Sequence, residues 1–254
     1  RRYDVKMVSK DLLRRKVWTK LREVAAPDSR FRFDFSMYIP DFEGSSECTK
    51  KIREMPLWQS AHTVFITPDN CLVELRKWGI MDNKVVVLPT YGLKGSFLIY
   101  TRKDIPDGQE EFAATLDGAL KYAKPITLGG IKELGHFDVV VTGASAVNLQ
   151  GIRYGKGHGY FDLEWGMFSA VGVIDENTPL LTVVHDCQVV DEKLPVSPYD
   201  SVTDYIITPT RSIKVERRKT KPKGIIWRKL RKGMLQEMPP LMELRNMQKR
   251  TQEL

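Results

Sequence analysis

Cysteine is scarce in this chain of 254 residues, and long hydrophobic runs are missing. The three cysteines, Cys48, Cys71 and Cys187, show no C-x-x-C spacing, which argues against a disulfide framework and a thiolate zinc site. No apolar run approaches the roughly 18 residues that a membrane span needs. We therefore expect no membrane segment and a cytoplasmic location, with a mitochondrial one left open because the sequence begins at Arg1 without a methionine.

Acidic residues are almost missing from one segment near the C-terminus. The formal net charge is +8, yet residues 211–232 hold eleven Lys or Arg against Glu216 alone, so the rest of the chain sums to −2. This basic segment has three interpretations: a solvated surface, a docking surface for an acidic ligand, or nucleic-acid binding without a recognisable RNA or DNA module. We predict a domain over residues 1–210 and a basic C-terminal extension, 211–254, packed on it.

Alternating helical and β-branched segments indicate the fold class. Residues 9–24 have helical spacing behind a Ser9 N-cap, whereas residues 31–46 show no stable period and predict an irregular connection. Further on, helix-like segments fall between six short apolar runs, namely HTVFIT, KVVVLP, SFLIYT, FDVVVTG, LLTVVH and DYIITP. This alternation predicts an α/β protein whose mostly parallel sheet has helices on both faces and loops with the chemistry at the carboxyl ends of its strands.

Five glycines lie in the segment GIRYGKGHGYFDLEWG, residues 151–166. Missing side chains let backbone amides approach a ligand, and the helix predicted to begin near Tyr160 adds partial positive charge, so an anion such as phosphate fits. Arg153 and Lys156 supply full charges. The spacing matches neither a Walker loop nor the dinucleotide G-x-G-x-x-G. A surface loop whose glycines only serve a turn is the alternative.

Asp162 follows this loop and has two interpretations. It is a candidate cap for the following helix. A carboxylate beside a phosphate site is also repelled unless a cation lies between them, and Mg²⁺ bound by one or two carboxylates plus phosphates is a common arrangement.

Three separated blocks resemble the 5-formyltetrahydrofolate cyclo-ligase family. RYGKGHGYFD is similar to its R-x-G-x-G-x-G-Y-Y-D signature, with Phe161 at the second tyrosine. Lys10 and Arg14 are similar to its phosphate-binding K-x-x-x-R, and residues 185–210 resemble its closing strand-loop-strand, with Asp204 at a magnesium position. The resemblance runs in order over roughly residues 9–210 and looks closest to a divergent branch of the family.

That resemblance implies a three-layer α/β/α fold of the NagB/RpiA/CoA transferase-like type and an ATP- and Mg²⁺-dependent ligase. In the family, ATP phosphorylates the formyl oxygen of 5-formyltetrahydrofolate, N10 attacks the activated carbon, and phosphate leaves as 5,10-methenyltetrahydrofolate forms. Positioning and charge neutralisation would dominate such catalysis, with Arg153 and Lys156 acting on the reacting phosphate. The implied ATP-site residues are Lys10, Arg14, Arg153, Gly155, Lys156, Gly157, Gly159, Tyr160 and Phe161, with Tyr160 also contacting folate. The implied magnesium ligands are Asp162 and Asp204.

The part of the family pattern that binds folate is altered in this chain. Where the family has a glutamate that binds the pterin, this chain has Cys71, and a thiol is a poor acceptor for paired N–H donors. Asp69 and Glu74 are candidate replacements, while Arg76 is either an anion-binding residue or a solvated helix charge. The alternative function is therefore a catalytically altered homologue that acts as a nucleotide- or nucleic-acid-binding or regulatory module.

Overall fold

The computed structural model describes residues 9–253, and each of the six apolar runs forms a strand in it. The strands lie at Thr63–Ile66 (β1), Val85–Pro89 (β2), Phe97–Tyr100 (β3), Lys124–Ile126 (β4), Val139–Gly143 (β5), Ala146–Asn148 (β6), Arg153–Tyr154 (β7), Leu180–Val183 (β8), Val189–Val190 (β9), Tyr205–Ile207 (β10) and Ser212–Lys214 (β11). Eight of them form one sheet in the order β11-β10-β8-β5-β1-β2-β3-β4, and β7-β6-β9 form a smaller one. Parallel pairing of β10, β8, β5, β1 and β2 makes the centre of the large sheet parallel.

Helices cover both faces of this sheet. They lie at Lys10–Leu21 (α1), Ser45–Glu54 (α2), Pro56–Gln59 (α3), Val73–Met81 (α4), Glu110–Ala114 (α5), Leu116–Tyr122 (α6), Leu128–Leu134 (α7), Tyr160–Val171 (α8), Met234–Glu237 (α9) and Pro239–Gln252 (α10). The predicted Ser9 cap is confirmed, since its side chain accepts the Leu12 amide of α1 at 3.2 Å. Residues 31–46 form turns up to the start of α2, as their lack of period indicated.

Side-chain alternation along the central strands divides the core into two layers. Val64 and Ile66 of β1 pack on one face with Trp58, whereas Phe65 packs on the other with Phe168 of α8. Helices α2 to α6 cover the first face, and α7 to α10 cover the second. The predicted three-layer α/β/α class with a mostly parallel sheet is confirmed.

The C-terminal residues continue both the sheet and the core. Strand β11 adds an antiparallel edge to β10 beyond residue 210, and Met238, Leu241 and Leu244 are buried in the same cluster as Phe168. The division into a domain and an extension at residue 210 stays a prediction. None of the helices within residues 9–253 is long and apolar enough to cross a membrane.

Three cations of the basic segment bond to the domain itself. Arg217 pairs with Glu176 at 2.6 Å, and the Lys219 ammonium donates to the backbone oxygen of Asp200 at 2.8 Å. Lys221 is 3% exposed and donates to the backbone oxygen of Thr178. A share of the positive charge is thus used internally, to hold this segment against the sheet.

The last helix also caps another helix, and this contact is testable. The carboxylate of Glu243 accepts the amides of Leu128 at 3.0 Å and Gly129 at 2.8 Å at the start of α7. We expect Glu243→Ala to lower the free energy of unfolding by about 1 to 2 kcal/mol, because two amides lose a charged acceptor. Urea denaturation measures this loss, with exposed Glu216→Ala as the control; equal midpoints for the two variants would contradict the capping role.

Candidate active site

A cleft of about 350 Å³ opens at the carboxyl ends of β1, β2 and β5. Its walls are α1, residues 67–69 after β1, residues 89–92 after β2, the glycine loop 155–159 and the first turns of α8. Ligands of parallel α/β sheets bind at this edge, because the loops that follow neighbouring strands converge there. The cleft is therefore the candidate site on the ground of fold alone.

The glycine loop forms one wall and ends in α8. Gly157 has φ +113° and Gly159, the residue before α8, has φ +72°, so both adopt a conformation that favours glycine. The prediction that the helix begins near Tyr160 is confirmed. No side chain caps α8, so Asp162 does not serve as its cap and the first amides of the helix face the loop without that acceptor.

Two cations of α1 reach the glycine loop from the opposite wall. The Arg14 Nε donates to the Gly155 oxygen at 2.9 Å, although the pair is separated by 141 residues in sequence. The Lys10 ammonium lies 3.1 Å from the Asp200 carboxylate and 4.7 Å from the centre of the Tyr154 ring. These contacts place two positive charges beside the loop, each with an acid nearby, since Arg14 also pairs with Asp11 at 2.8 Å.

Arg153 lies beneath the loop and is 3% exposed. Its Nη2 donates to the Gly143 oxygen at the end of β5 at 2.8 Å, and its Nη1 donates to the Ser201 hydroxyl at 3.1 Å. Burial lowers the pKa of its guanidinium, while its Nε has no hydrogen-bond partner among the described residues. Arg153 thus joins separate loops as well as lining the cleft.

Lys156 is held between the glycine loop and the irregular segment 31–46. Its Nζ donates to the Met37 oxygen at 3.1 Å and lies 4.7 Å from the centre of the Tyr91 ring. Burial lowers the pKa of Lys156. Ser36 of the same segment contacts the His158 ring at 3.1 Å, so a stretch with no sequence signal covers this end of the cleft.

Asp162 lines the cleft and accepts the Ser201 amide at 2.9 Å. Burial raises its pKa despite the attraction of Arg153. No group of three or more His, Cys, Asp or Glu within residues 9–253 could hold a metal ion by itself. One cleft carboxylate with unused lone pairs nevertheless suits Mg²⁺, which is commonly bound by one or two carboxylates together with substrate phosphates.

The structure does not bring Asp204 into the cleft with Asp162, its predicted partner as a magnesium ligand. Its carboxylate lies 2.7 Å from Arg217 and 2.6 Å from Lys221, accepts the Leu180 amide, and is not part of the cleft wall. Two cations and an amide already satisfy its oxygens. Asp200, four residues earlier, lines the cleft instead; sequence reasoning missed it because its loop has no period to show which acid faces inward.

The cleft brings together every other residue predicted for the site. These are Lys10, Arg14, Arg153, Gly155, Lys156, Gly157, Gly159, Tyr160, Phe161 and Asp162. Of the candidate replacements for the family glutamate, Asp69 lines the cleft, whereas Glu74 bonds to Ser46 outside it. Cys71 is 2% exposed, and its Sγ lies 3.9 Å from the Val183 oxygen in the core.

Arg76 matches neither of its two predicted roles. Its guanidinium is 1% exposed and donates to the backbone oxygens of Ala114 at 2.7 Å and Thr67 at 2.6 Å. Because Thr67 directly follows β1, Arg76 supports the cleft loop from behind. The helical spacing of α4 could have placed Arg76 on the buried face beside Leu75 and Gly79, which are also buried.

Glu164 is the cleft residue that sequence reasoning passed over. It is 3% exposed, lines the cleft, and accepts no hydrogen bond from the described residues. Burial, followed by the nearby charge of Asp69, raises its pKa well above the usual value. Its spacing could have indicated a place in the cleft, because Glu164 follows Tyr160 by four residues on a helix and therefore lies on the same face.

The fold and this cleft define an α/β protein with a glycine loop at the carboxyl edge of its parallel strands. The family model of the 5-formyltetrahydrofolate cyclo-ligase family matches residues 6–209. This chain belongs to that family.

Several relatives agree with this assignment. The human methenyltetrahydrofolate synthase domain-containing protein is 34% identical over 244 residues, which cover 94% of this chain and 62% of that protein. The zebrafish (Danio rerio) protein of the same name is 34% identical over 216 residues, which cover 83% of this chain and 55% of that one. The chain thus spans about 55 to 62% of the length of these two relatives.

Comparison with solved structures supports the fold. The Aquifex aeolicus 5,10-methenyltetrahydrofolate synthetase superimposes with a TM-score of 0.51 at 17% identity, covering 83% of this chain and 95% of that one. Similarity at this level supports the arrangement of the helices and strands and assigns no role to any residue.

The placement of Asp204 leads to a prediction about stability. We expect Asp204→Asn to lower the free energy of unfolding by about 2 to 3 kcal/mol, because Lys221 loses its carboxylate in a buried position. ATP affinity should stay within about twofold of the wild-type value, since Asp204 lies outside the cleft. Denaturation and calorimetric titration measure the two quantities, with exposed Asp191→Asn as the control; a loss of MgATP binding without a loss of stability would return Asp204 to the magnesium site.

Proposed function

We propose that this chain catalyses the ATP- and Mg²⁺-dependent conversion of 5-formyltetrahydrofolate, or a related formyl-folate compound, to 5,10-methenyltetrahydrofolate through a phosphorylated formyl intermediate. The observation that carries the proposal is the convergence of the glycine loop, the α8 N-terminus, Lys10, Arg14 and Lys156 on one cleft. Its family membership supports the same chemistry.

The ATP phosphates would lie against the glycine loop. Backbone amides of Gly157 and Gly159 approach closely because no Cβ intervenes, and the N-terminus of the twelve-residue helix α8 adds partial positive charge. Lys10 and Arg14 would neutralise the phosphates from the α1 side, where Arg14 is already oriented by Gly155. Asp162 would hold Mg²⁺, which supplies the positive charge that lets a carboxylate and phosphates share the site.

Lys156 is proposed as the mobile charge on the transferred phosphoryl group. Its ammonium has one backbone acceptor, the Met37 oxygen, and lies above Tyr91, so it can exchange that acceptor for a phosphate oxygen without breaking an ion pair. Arg153 is bonded to Gly143 and Ser201 and supports the site with a fixed charge. Tyr160, at the start of α8, would contact the folate.

The reaction needs positioning more than acid–base groups. Once the formyl oxygen is phosphorylated, N10 of the same molecule attacks the formyl carbon, and inorganic phosphate leaves with the C–O bond electrons. Holding ATP and the folate in one cleft makes the first transfer effectively intramolecular. The alternative function is that of a homologue that binds MgATP without closing the ring. Such a protein needs no second carboxylate to orient the metal. Asp200, the cleft acid close in sequence to Asp204, is paired with Lys10.

Loss of either key charge should slow ring closure. We expect Lys156→Met and Asp162→Asn each to lower kcat/KM for ATP at least tenfold, because a desolvated phosphate contact contributes about 2 to 4 kcal/mol to transition-state stabilisation. Methenyltetrahydrofolate absorbance after mixing with 5-formyltetrahydrofolate, ATP and Mg²⁺ measures the rate. Exposed Lys132→Met and Asp107→Asn are the matched controls. Wild-type rates in both cleft variants would refute the site assignment. If the wild-type protein binds MgATP but methenyltetrahydrofolate absorbance does not increase, the result would favour the alternative function as a binding module.

The lowered pKa of Lys156 predicts an alkaline limit on ATP use. A lysine keeps its charge below its pKa and loses it as the pH rises through that value, so Lys156 should discharge at a lower pH than an exposed lysine. KM for ATP should rise accordingly in the wild type and stay flat over the same range in Lys156→Arg, whose guanidinium remains charged. Rate measurements between about pH 7 and 10 test this; identical profiles for both proteins would exclude Lys156 as the titrating group.

A further inference from the structure

Glu164 is a buried carboxyl group inside the cleft with nothing bonded to it. It is 3% exposed, its Oε1 is closed off from solvent, and no described residue donates a hydrogen bond to either oxygen. Buried polar groups almost always have partners, and an unpaired one costs about 1 to 3 kcal/mol, more for a charged group. The charges of Arg153 and Lys156 lie near Glu164, but neither donates a hydrogen bond to its buried Oε1, so we expect that bond to come from outside the chain.

The nearby cations do not supply that partner. The Nε of Arg153 is also buried and unpaired, although Arg153 and Glu164 line the same cleft. The Arg153 Nη atoms donate to Gly143 and Ser201, and Lys156 donates to Met37. The Glu164 carboxyl group therefore lies in one cleft with the cations Arg153 and Lys156 without a hydrogen bond to either. Glu164 is thus open to a hydrogen bond from a ligand.

Helix geometry places Glu164 on the folate side of the proposed site. It follows Tyr160 by one turn on α8, so the two side chains lie on the same face, whereas Asp162 is turned away from both by about 160 to 200°. Asp69, from the loop after β1, lines the same cleft. Asp69 uses its Oδ2 for Thr67 and the Gly143 amide. Asp69 and Glu164 thus bring carboxyl oxygens into the cleft from two different elements.

We propose that Glu164 accepts hydrogen bonds from a ligand edge that carries adjacent N–H donors, as the 2-amino-4-oxo edge of a pterin or a guanine does. In its carboxylate form, its two oxygens can accept a ring N–H and an exocyclic amino group side by side. That the ligand is a folate rests on the proposed function, and there Glu164 supplies the acceptor that Cys71 cannot, because the Cys71 side chain is buried in the core. The inference concerns specificity for the ring edge and assigns no phosphate contact to Glu164.

The test compares two ring systems that differ at one group. Pterin has an amino group at C2, whereas lumazine has an oxygen there, which would face a carboxyl oxygen with a lone pair instead of a donor. We expect the full chain to bind pterin at least about tenfold more tightly than lumazine, and Glu164→Gln to reduce this preference to within about threefold. Fluorescence titration of each compound gives the dissociation constants. Guanosine and inosine form a second pair, in which the amino group at C2 is replaced by hydrogen.

Exposed Glu133→Gln on α7 is the matched control. It should keep the wild-type preference, and a melting temperature of Glu164→Gln close to the wild-type value shows that the variant folds. MgATP affinity should stay within about threefold in Glu164→Gln, because Glu164 is not among the residues proposed to contact the phosphates. A general loss of both MgATP and pterin binding in a folded variant would contradict the assignment to the ring edge.

The outcomes separate this inference from the proposed function. An unchanged pterin preference in Glu164→Gln overturns the inference, even if 5-formyltetrahydrofolate is turned over. A Glu164-dependent preference for pterin without turnover supports the inference while the proposed reaction fails. A Glu164-dependent preference for guanosine over inosine, with equal binding of pterin and lumazine, supports the ring-edge acceptor and assigns it to a nucleotide instead of a folate.

Discussion

The buried guanidinium of Arg153 is the interaction on which the cleft depends. It bonds to the end of β5 through the Gly143 oxygen and to the Ser201 hydroxyl, and it lies 4.6 Å from the centre of the Phe161 ring at the start of α8. One charged group thus fixes the distance between three loops that neither packing nor the sheet ladder would hold. Because the group is desolvated, any loss of these contacts would leave a buried charge unpaired.

The cleft brings charges of both signs together. Lys10 and Arg14 of α1 face the glycine loop, and Asp69 and Glu164 line the same cleft, near the charges of Arg153 and Lys156. Such a lining offers cations to a polyanionic ligand and acceptor oxygens to a donor-rich ring. Cys71 is buried in the core, whereas Asp69 and Glu164 reach the cleft from the loop after β1 and from α8.

The sequence predicted β1, β2, β3, β5, β8 and β10 and the central helices, because each depends on a local pattern. Short β-branched runs could only be buried strands, and the glycine loop followed by an apolar segment predicted the start of α8 at Tyr160. The positions of acidic residues in loops were harder to predict from the sequence. Asp200 and Asp204 lie four residues apart without secondary structure between them, and which one faces the cleft depends on Lys10, Arg217 and Lys221, all distant in sequence. Arg76 was misjudged for the same reason, because its acceptors are backbone oxygens of other segments.

By itself the sequence determined the α/β class, the glycine loop with its cations, and membership of a family whose signature is contiguous. These properties depend on residues within a few positions of one another, where spacing has a direct structural meaning. Only the tertiary structure decided which acids line the cleft, that residues 31–46 close over Lys156, and that Glu164 is buried there without a partner. Burial and pairing depend on side chains brought together from different elements, so no local pattern in the chain encodes them.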